Sequence, residues 1–335
     1  MPKISIIMSV YNTAAYLHQS VSSIMGQRFK DFELIIIDDG STDGSSAICD
    51  ELAAQDERIR VVHKINSGQA DSRNIAIKMA AGDYVGFVDS DDWIEPDMYE
   101  FLYEQAQLSN ADAAVCSYWE EYKNCSKERV NDHVGVFSHD EAYRIYFFCQ
   151  NITTYLLWPM LIKRRLLIKE IPQLRFCEDT AVVLDWISGA EKVVITNKSL
   201  YHYRMRKSSV MHIDRQVQRA YINLDIIHNR SLAARKCGVI SKKEIDSYDA
   251  ESYLYIAQHF VRDSKNADDR KALANYASKY LNEIWPADLS GMRRKVRKRI
   301  HLLLSHPSRF AWQMWLTGVF SFKKDNQNKG YTFFD

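Results

Sequence analysis

Strand-like apolar runs and amphipathic helical runs alternate along the first 120 residues of the chain. KISIIMSV (residues 3–10) is β-rich, and AAYLHQSVSSIMGQ follows with Leu17, Val21 and Ile24 at helical spacing. The unit repeats, because the strand-like runs FELIIIDDG, RIRVVHK, DYVGFVD and AAVCSY are separated by the helix-like runs SSAICDELAAQ, SRNIAIKMAAG and DMYEFLYEQAQL. This alternation predicts an α/β fold with a mostly parallel sheet and helices on both faces.

The second half of the chain has a different pattern. Beyond residue 138 the alternation gives way to helices and short strands, and from about residue 214 the sequence is almost entirely amphipathic helix. We therefore predict an α/β domain over residues 1–213 and a helical C-terminal region over residues 214–335.

Composition narrows the class of protein. The 335 residues are 46% hydrophobic, which is enough for a sizeable core. A net charge of +1, from 44 basic and 43 acidic side chains, gives no reason to expect a nucleic-acid partner. The six cysteines have no metal-type spacing, no signal-peptide pattern follows Met1, and no apolar run reaches the roughly 18 to 20 residues that span a bilayer. We expect a cytoplasmic protein, with contact at a membrane surface left open.

Short polar and acidic residues follow three of the predicted strands. In parallel sheets, ligands bind beyond the carboxyl ends of the strands. The first strand ends in SVYN (9–12), the second in DDGSTD (38–43) and the fourth in DSDD (89–92). Neither a GxGxxG turn after the first strand nor a GxxxxGK[ST] loop is present, so neither a classical dinucleotide fold nor a P-loop is supported.

The DSDD segment predicts a metal site. Asp89 and Asp91 suit Mg²⁺ or Mn²⁺, which take one or two protein oxygens and fill the remaining positions with water and diphosphate oxygens. Helix capping by Asp92 or Asp97 is the alternative. Capping needs one carboxylate, whereas this segment holds three, so a metal site is favoured.

The neighbouring strand ends could bind a nucleotide base. Tyr11 could stack on a planar ring while Asp38 or Asp39 accepts its N–H group. A turn followed by a helix N-cap explains DDGSTDGS equally well. In NSGQADSRN, a glycine turn precedes a helix with Arg73 in its first turn, where an arginine would support phosphate or base binding. A surface salt bridge is an equal alternative for that residue.

Five segments taken together resemble a known family. SIIMSVYN, LIIIDDGSTDGS, NSGQADSRNIAI, GDYVGFVDSDDW and CEDTAV occur in the order and roughly the spacing found in family 2 glycosyltransferases of the GT-A fold. These enzymes transfer sugars from nucleotide-diphospho-sugars in bacterial polysaccharide and teichoic-acid synthesis. The resemblance is close over about residues 3–120 and looser to about residue 210.

The resemblance implies roles for single residues at the nucleotide. Ser9, Tyr11 and Asp39 would surround the uracil of a UDP-sugar, with Asp38 beside it. Arg73 would support the nucleotide.

The same resemblance implies a metal site and a catalytic base. The DxD motif corresponds to Asp89, Ser90 and Asp91, with Asp91 as the direct metal ligand and Asp89 nearer the ribose. Asp179 of the Glu178-Asp179 pair would be the base. An acceptor hydroxyl must lose its proton as it attacks the anomeric carbon with inversion, and a fixed carboxylate contributes roughly 10² to 10⁴-fold to such a step. First-turn helix charges are the alternative for this pair.

The segment LYHYRMRKSSVMH (200–212) concentrates basic and hydroxyl side chains. Similar segments in the family cover the diphosphate, which implies phosphate contacts from Arg204 and Ser209. His202 is a candidate extra metal ligand, with a hydrogen-bonded structural histidine as the alternative.

The C-terminal region contains a basic amphipathic helix. GMRRKVRKRIHLLL (291–304) has six basic residues between Arg293 and Arg299, with apolar residues on one helical face. Aromatic and apolar residues follow: Phe310, Trp312, Trp315, Leu316, Val319, Phe320 and Phe322. This pattern suits the interface of an anionic membrane. Packing on the catalytic domain with the basic face solvated, and oligomerisation, are the alternatives.

We therefore predict a cytosolic, inverting glycosyltransferase that moves a hexose or N-acetylhexosamine from a UDP-sugar, with Mg²⁺ or Mn²⁺, onto a growing glycan. If the tail contacts membrane, the acceptor is expected to be lipid-linked, as in capsule or exopolysaccharide synthesis. A teichoic acid or a protein glycan could serve as acceptor in the same site. A nucleotidyltransferase is disfavoured because the turn after the first strand is neither glycine-rich nor basic. A non-enzymatic, membrane-recruited scaffold is disfavoured because Asp89, Asp91 and Asp179 are all present. A homo-oligomer is left open.

Overall fold

The computed structural model describes residues 1–148, 155–174, 177–206, 216–264, 266–285, 287–321 and 334, without the side chains of residues 216, 217, 263 and 317–321. The chain divides into two compact units, Met1–Ser209 with Tyr331–Asp335 and Val210–Gly330. The boundary predicted near residue 213 falls among residues 207–215, outside the described ranges.

The described part of the first unit is a mixed sheet covered by helices. Its strands are β1 (Ile4–Val10), β2 (Phe32–Asp38), β3 (Ile59–His63), β4 (Tyr84–Phe87), β5 (Trp93–Ile94), β6 (Ala113–Glu121), β7 (Ser126–Arg129), β8 (Gly135–Ser138), β9 (Met160–Lys163) and β10 (Lys192–Arg204). Its helices are α1 (Ala14–Met25), α2 (Ser45–Gln55), α3 (Gln69–Met79), α4 (Met98–Ser109), α5 (His139–Phe148) and α6 (Glu178–Ile187). The predicted α/β fold is confirmed.

The strand order is β3-β2-β1-β4-β9-β6-β10-β5, with β7 on β6 and β8 on β10. The strands β3, β2, β1 and β4 are parallel, as the alternation of strands and helices requires. The short strand β9 lies antiparallel between β4 and β6, and β10 runs parallel to β6. The sheet is therefore parallel on one side and mixed on the other.

The register of the parallel strands brings the polar strand ends together. Val10 of β1 pairs with Asp38 of β2, and Ile7 of β1 pairs with Phe87 of β4. The segments SVYN, DDGSTD and DSDD consequently leave the sheet side by side at one edge. The apolar residues of β1, β2 and β4 are buried. This is typical of parallel strands with helices on both faces of the sheet.

Close packing of α4 on β4 fixes the strand that carries DSDD. A Cβ atom at Gly86 would lie 2.5 Å from Cε1 of Tyr99 in α4. Only glycine lets the helix approach the strand at this distance.

The described part of the second unit is helical. It contains α7 (Gln216–Cys237), α8 (Lys242–Asp263), α9 (Ala267–Ile284), α10 (Arg294–Ser305) and α11 (Pro307–Ser321). A capping box of Ser241 and Glu244 begins α8, and the unit has its own apolar core. Among the described residues, no helix has both the length and the apolar content needed to cross a bilayer.

Candidate active site

The DSDD turn after β4 is held by contacts from α1 and its preceding turn. The Ser20 hydroxyl donates to the main-chain carbonyl of Asp89 at 3.2 Å, and the Thr13 hydroxyl donates to Ser90 Oγ at 3.0 Å. Within the turn, the Asp92 N–H donates to the Asp89 carbonyl at 3.1 Å. Ser90 therefore faces the protein interior as part of the support for this turn.

Asp92 is a buried support rather than a helix cap. Its Oδ2 accepts a hydrogen bond of 2.8 Å from the Tyr201 hydroxyl, and its Oδ1 accepts one of 2.8 Å from the Arg204 N–H. The same Tyr201 oxygen accepts from the Asp89 N–H at 3.1 Å. Burial, with Asp91 and Asp89 nearby, raises the pKa of Asp92 well above its usual value. At the start of α4, Asp97 makes no side-chain capping bond, so the capping alternative is not what this structure shows.

Arg73 joins two regions that are far apart in the sequence. Its guanidinium is buried and lies 2.8 Å from Asp89, 2.7 Å from Asp179 and 3.5 Å from Glu178. Burial lowers the pKa of the guanidinium, but Asp179, Asp89 and Glu178 raise it above the usual value. Arg73 was expected to support the nucleotide; in this structure it bridges the DxD sequence and the candidate base.

Asp179 has the surroundings of a general base. It lies in the first turn of α6, which agrees with the alternative that it is a first-turn helix charge. Its carboxylate is, however, also paired with Arg73 and accepts a hydrogen bond from the Leu157 N–H at 3.4 Å. Burial raises its pKa to about 7, against the opposing effect of Arg73. A carboxylate with a pKa near neutrality is suited to accept a proton from a sugar hydroxyl.

Asp91 is paired with an arginine to which the sequence analysis gave no role. Arg206 Nη2 lies 2.5 Å from Asp91 Oδ2. Burial raises the pKa of Asp91, while Arg206 lowers it, and the net shift is upward. Asp89 and Asp91 supply hard oxygen ligands, which fit Mg²⁺ or Mn²⁺. In the part of the chain that the structure describes, no group of three or more His, Cys, Asp or Glu residues could hold a metal. Mg²⁺ and Mn²⁺ commonly fill the rest of their coordination shell with water and phosphate oxygens.

Arg204 lies differently from its expected place at the phosphates. Its Nε donates to the Asp91 carbonyl at 2.6 Å and its Nη2 to Gln19 Oε1 at 2.7 Å. The guanidinium is also enclosed by three aromatic rings at 4.5 to 4.9 Å, those of Tyr16, Trp93 and Phe334. These contacts make Arg204 a support of the DSDD main chain. Ser209, the other expected phosphate contact, lies outside the described residues.

His202 has both ring nitrogens engaged. Nδ1 lies 2.7 Å from Glu121 and Nε2 lies 3.0 Å from Glu95, and the ring stacks on Trp93. Neither nitrogen is available to a metal in this arrangement. The structure therefore corresponds to the alternative of a hydrogen-bonded structural histidine.

The residues expected to surround uracil lie at the same end of the parallel strands, but they differ in exposure and in their hydrogen bonds. The Asp39 N–H donates to the Val10 carbonyl, which places Asp39 beside the exposed ring of Tyr11. The Asp39 carboxylate accepts the N–H groups of Ser67 and Gly68, both at 2.8 Å, and also pairs with Lys64.

Asp38 is buried among Ser41, Ser46 and His63, which all bond its carboxylate. It is a turn support, in line with the turn alternative for this segment. Ser9, on β1, pairs in register with Ile37 and lies beside this group.

Sequence reasoning missed the roles of Tyr201, Lys64 and Arg206. Arg204 is the last residue of β10, and Arg206 follows two positions later. A spacing of two places both side chains on one face of an extended chain. That signal could have marked the pair. Nothing local in the sequence could have shown that Tyr201 bonds to Asp92, 109 residues away.

The fold of the chain is of the GT-A type. The chain superposes on the crystal structure of Staphylococcus aureus TarS (residues 1–349) in complex with UDP-GlcNAc, with a TM-score of 0.77 at 17% sequence identity. The match covers 95% of this chain and 92% of the TarS chain. This likeness concerns the fold.

The family follows from sequence. The sequence model described as Glycosyl transferase family 2 matches residues 5–171. GlyG of Streptococcus pneumoniae is 33% identical over 222 residues, which cover 62% of this chain and 72% of GlyG. GlyA of the same organism is 35% identical over 230 residues, 63% of this chain but only 32% of GlyA. The chain belongs to glycosyl transferase family 2, as the resemblance of its motifs predicted.

Proposed function

We propose that the protein transfers a hexose or N-acetylhexosamine, with inversion, from a UDP-sugar to a glycan acceptor. The observation that carries the proposal is the guanidinium of Arg73, which joins the candidate base Asp179 to Asp89 of the DxD sequence. One side chain thus holds the candidate base and a carboxylate expected near the donor diphosphate. This arrangement suits a single displacement at the anomeric carbon of the donor sugar. The UDP-GlcNAc bound to TarS, which shares the fold, supports a uridine nucleotide as donor carrier.

In this proposal, Asp179 accepts the proton of the acceptor hydroxyl as the oxygen attacks the anomeric carbon. Its ionised form is the active one, and Arg73 favours that form against the effect of burial. Asp91 and Asp89 would hold Mg²⁺ or Mn²⁺. Such an ion, when bound, neutralises negative charge on the departing diphosphate.

Tyr11 is proposed to stack on uracil, because its ring is 51% exposed at the edge where Asp39 lies. Asp39 would accept a hydrogen bond from the imide N–H of the base, and Ser9 and Asp38 would complete the uracil site. The carboxylate of Asp39 is already oriented by the N–H groups of Ser67 and Gly68, so little ordering is needed when a base binds.

We further propose that the acceptor is lipid-linked, in bacterial surface polysaccharide synthesis, and that the protein acts at the cytoplasmic face of the membrane. Arg293, Arg294, Lys295 and Lys298 are exposed. The sequence has no acidic residue between Asp288 and Asp325.

The geometry of α10 changes the expected form of this membrane contact. Ile300 and Leu303, on its apolar face, are buried in the core of the C-terminal unit, together with Met292. That face is therefore not available for insertion into lipid. The proposed contact is electrostatic, through the outward basic side chains, and Trp312 adds an exposed ring in α11.

Thermal unfolding with UDP tests the proposed function. A ligand at 100 times its Kd adds about 2.7 kcal/mol to the free energy of unfolding. We expect UDP with Mn²⁺ to raise the melting temperature, and UDP with EDTA to raise it less. An unchanged melting temperature with UDP and Mn²⁺ would contradict the proposal.

A further inference from the structure

Both aspartates of the DxD sequence have an arginine as counter-ion. Arg73 Nη2 lies 2.8 Å from Asp89 Oδ1, and Arg206 Nη2 lies 2.5 Å from Asp91 Oδ2. The side chains of Arg206 and Asp91 are 18% and 17% exposed, so water screens this pair only weakly. The carboxylate expected to bind a metal directly is therefore already neutralised by a cation of the chain.

Arg206 has an unused hydrogen-bond donor. Its Nε is buried and has no acceptor among the described residues, while the guanidinium lies 5.3 Å from the ring centre of Tyr16. Its backbone forms a β-bridge with Phe334, so the main chain is held in place. Rotation of the side chain alone could thus move the guanidinium away from Asp91. An anion with several oxygens could satisfy the donors that Asp91 leaves unused.

A divalent cation and the guanidinium of Arg206 compete for Asp91. Like charges a few ångströms apart repel strongly where water screens poorly. A guanidinium displaced from Asp91 then needs another anion, because a buried charge without a partner is costly. The diphosphate of a nucleotide-sugar is such an anion, and a planar guanidinium binds phosphate oxygens through two parallel hydrogen bonds.

We propose that Arg206 is a positioning residue that holds Asp91 until a divalent cation and the donor diphosphate bind together, and that its guanidinium then passes from the carboxylate to the diphosphate. The inference rests on the proposed use of a nucleotide-sugar. It gives Arg206 the phosphate contact expected of Arg204, whose Nε and Nη2 are bonded elsewhere. The consequence is mutual dependence: the cation binds weakly alone and tightly with UDP, and the converse holds for UDP.

Mn²⁺ binding to the full chain, followed by the electron paramagnetic resonance signal of free Mn²⁺, tests the exchange. Without nucleotide, Arg206→Gln is expected to tighten Mn²⁺ binding by about tenfold, since the competing cation is gone. With Mn²⁺ present, the same variant is expected to bind UDP more weakly in calorimetry. Arg206→Lys keeps a cation at this position and is expected to bind Mn²⁺ alone as weakly as the wild type.

Arg60→Gln is the control, because Arg60 also pairs with a carboxylate, that of Glu33 at 3.1 Å, and lies on β3, outside the DxD sequence. It is expected to leave both affinities unchanged. Nucleotide-free Mn²⁺ affinity that is the same in Arg206→Gln and wild type, with UDP binding intact, would overturn this inference alone. A wild-type chain that binds no UDP under any of these conditions would overturn the proposed function itself. Unchanged circular dichroism spectra establish that the variants are folded.

Discussion

Arg73 Nη1 lies 2.7 Å from Asp179 Oδ1, although 106 residues separate the two in the chain. The other terminal nitrogen of the same guanidinium lies 2.8 Å from Asp89. Because the guanidinium is buried, this contact strongly favours the ionised form of the candidate base. Arg73 thus holds the carboxylate that is proposed to accept the proton and opposes the effect of burial on its pKa.

Replacement of Arg73 should move the pH dependence of transfer. Burial raises the pKa of Asp179 to about 7, and Arg73 opposes that rise. In Arg73→Gln the pKa is expected to be higher still, so kcat/KM should begin to fall at a higher pH as the solution is acidified. Arg73→Lys, which keeps the charge, should shift the acidic limb less. An acidic limb that stays in place, or moves to lower pH, in Arg73→Gln would show that Asp179 is not the titrating base.

The base and the metal ligand should be separable by mutation. Asp179→Asn is expected to lower kcat roughly 10² to 10⁴-fold, because the acceptor proton has no base, while UDP and Mn²⁺ still bind. Asp91→Asn is expected to weaken Mn²⁺-dependent UDP binding instead. Calorimetry with UDP and a transfer assay on the same preparations distinguish the two. Equal loss of UDP binding in both variants would refute this division of roles.

Tyr201 should contribute to stability through Asp92. Tyr201→Phe leaves Asp92 Oδ2 and the Asp89 N–H without their shared partner, and an unsatisfied buried group costs about 1 to 3 kcal/mol. Tyr99→Phe is the matched control, because the Tyr99 hydroxyl is buried and has no hydrogen-bond partner among the described residues. Urea unfolding should show the loss only for Tyr201→Phe. Equal effects of the two variants would mean that the hydrogen bonds to Tyr201 add no stability.

The basic face of α10 should bind anionic vesicles. The triple variant Arg294→Gln, Lys295→Gln, Lys298→Gln is expected to lose about 1 kcal/mol of binding free energy per residue, and the wild type to be released by salt. The control triple variant Lys236→Gln, Lys271→Gln, Lys279→Gln removes the same charge from exposed positions on other helices. Vesicle sedimentation measures both. Equal binding by the two variants, or equal binding of wild type to neutral vesicles, would contradict electrostatic contact through α10.

The parallel part of the sheet and its polar edge could be predicted because each apolar run stops at a polar segment, and parallel register then places these ends together. Strand β9 could not be predicted, because its four residues form a strand by pairing with β4 and β6, which are distant in the sequence. The same limit applies at the site. Which of Arg204 and Arg206 is enclosed depends on rings from three separate segments, and His202 is engaged by glutamates 81 and 107 residues away. Local sequence carries no record of such partners.

Release of UDP from a panel of UDP-sugars, with Mn²⁺ and without added acceptor, tests the central claim most directly. Slow hydrolysis of the preferred donor should give a signal for one sugar, which EDTA should remove and Asp91→Asn should weaken. That result would establish the donor class and name the sugar. No release from any UDP-sugar, together with no binding of UDP to the folded chain, would contradict the assignment of a UDP-sugar donor.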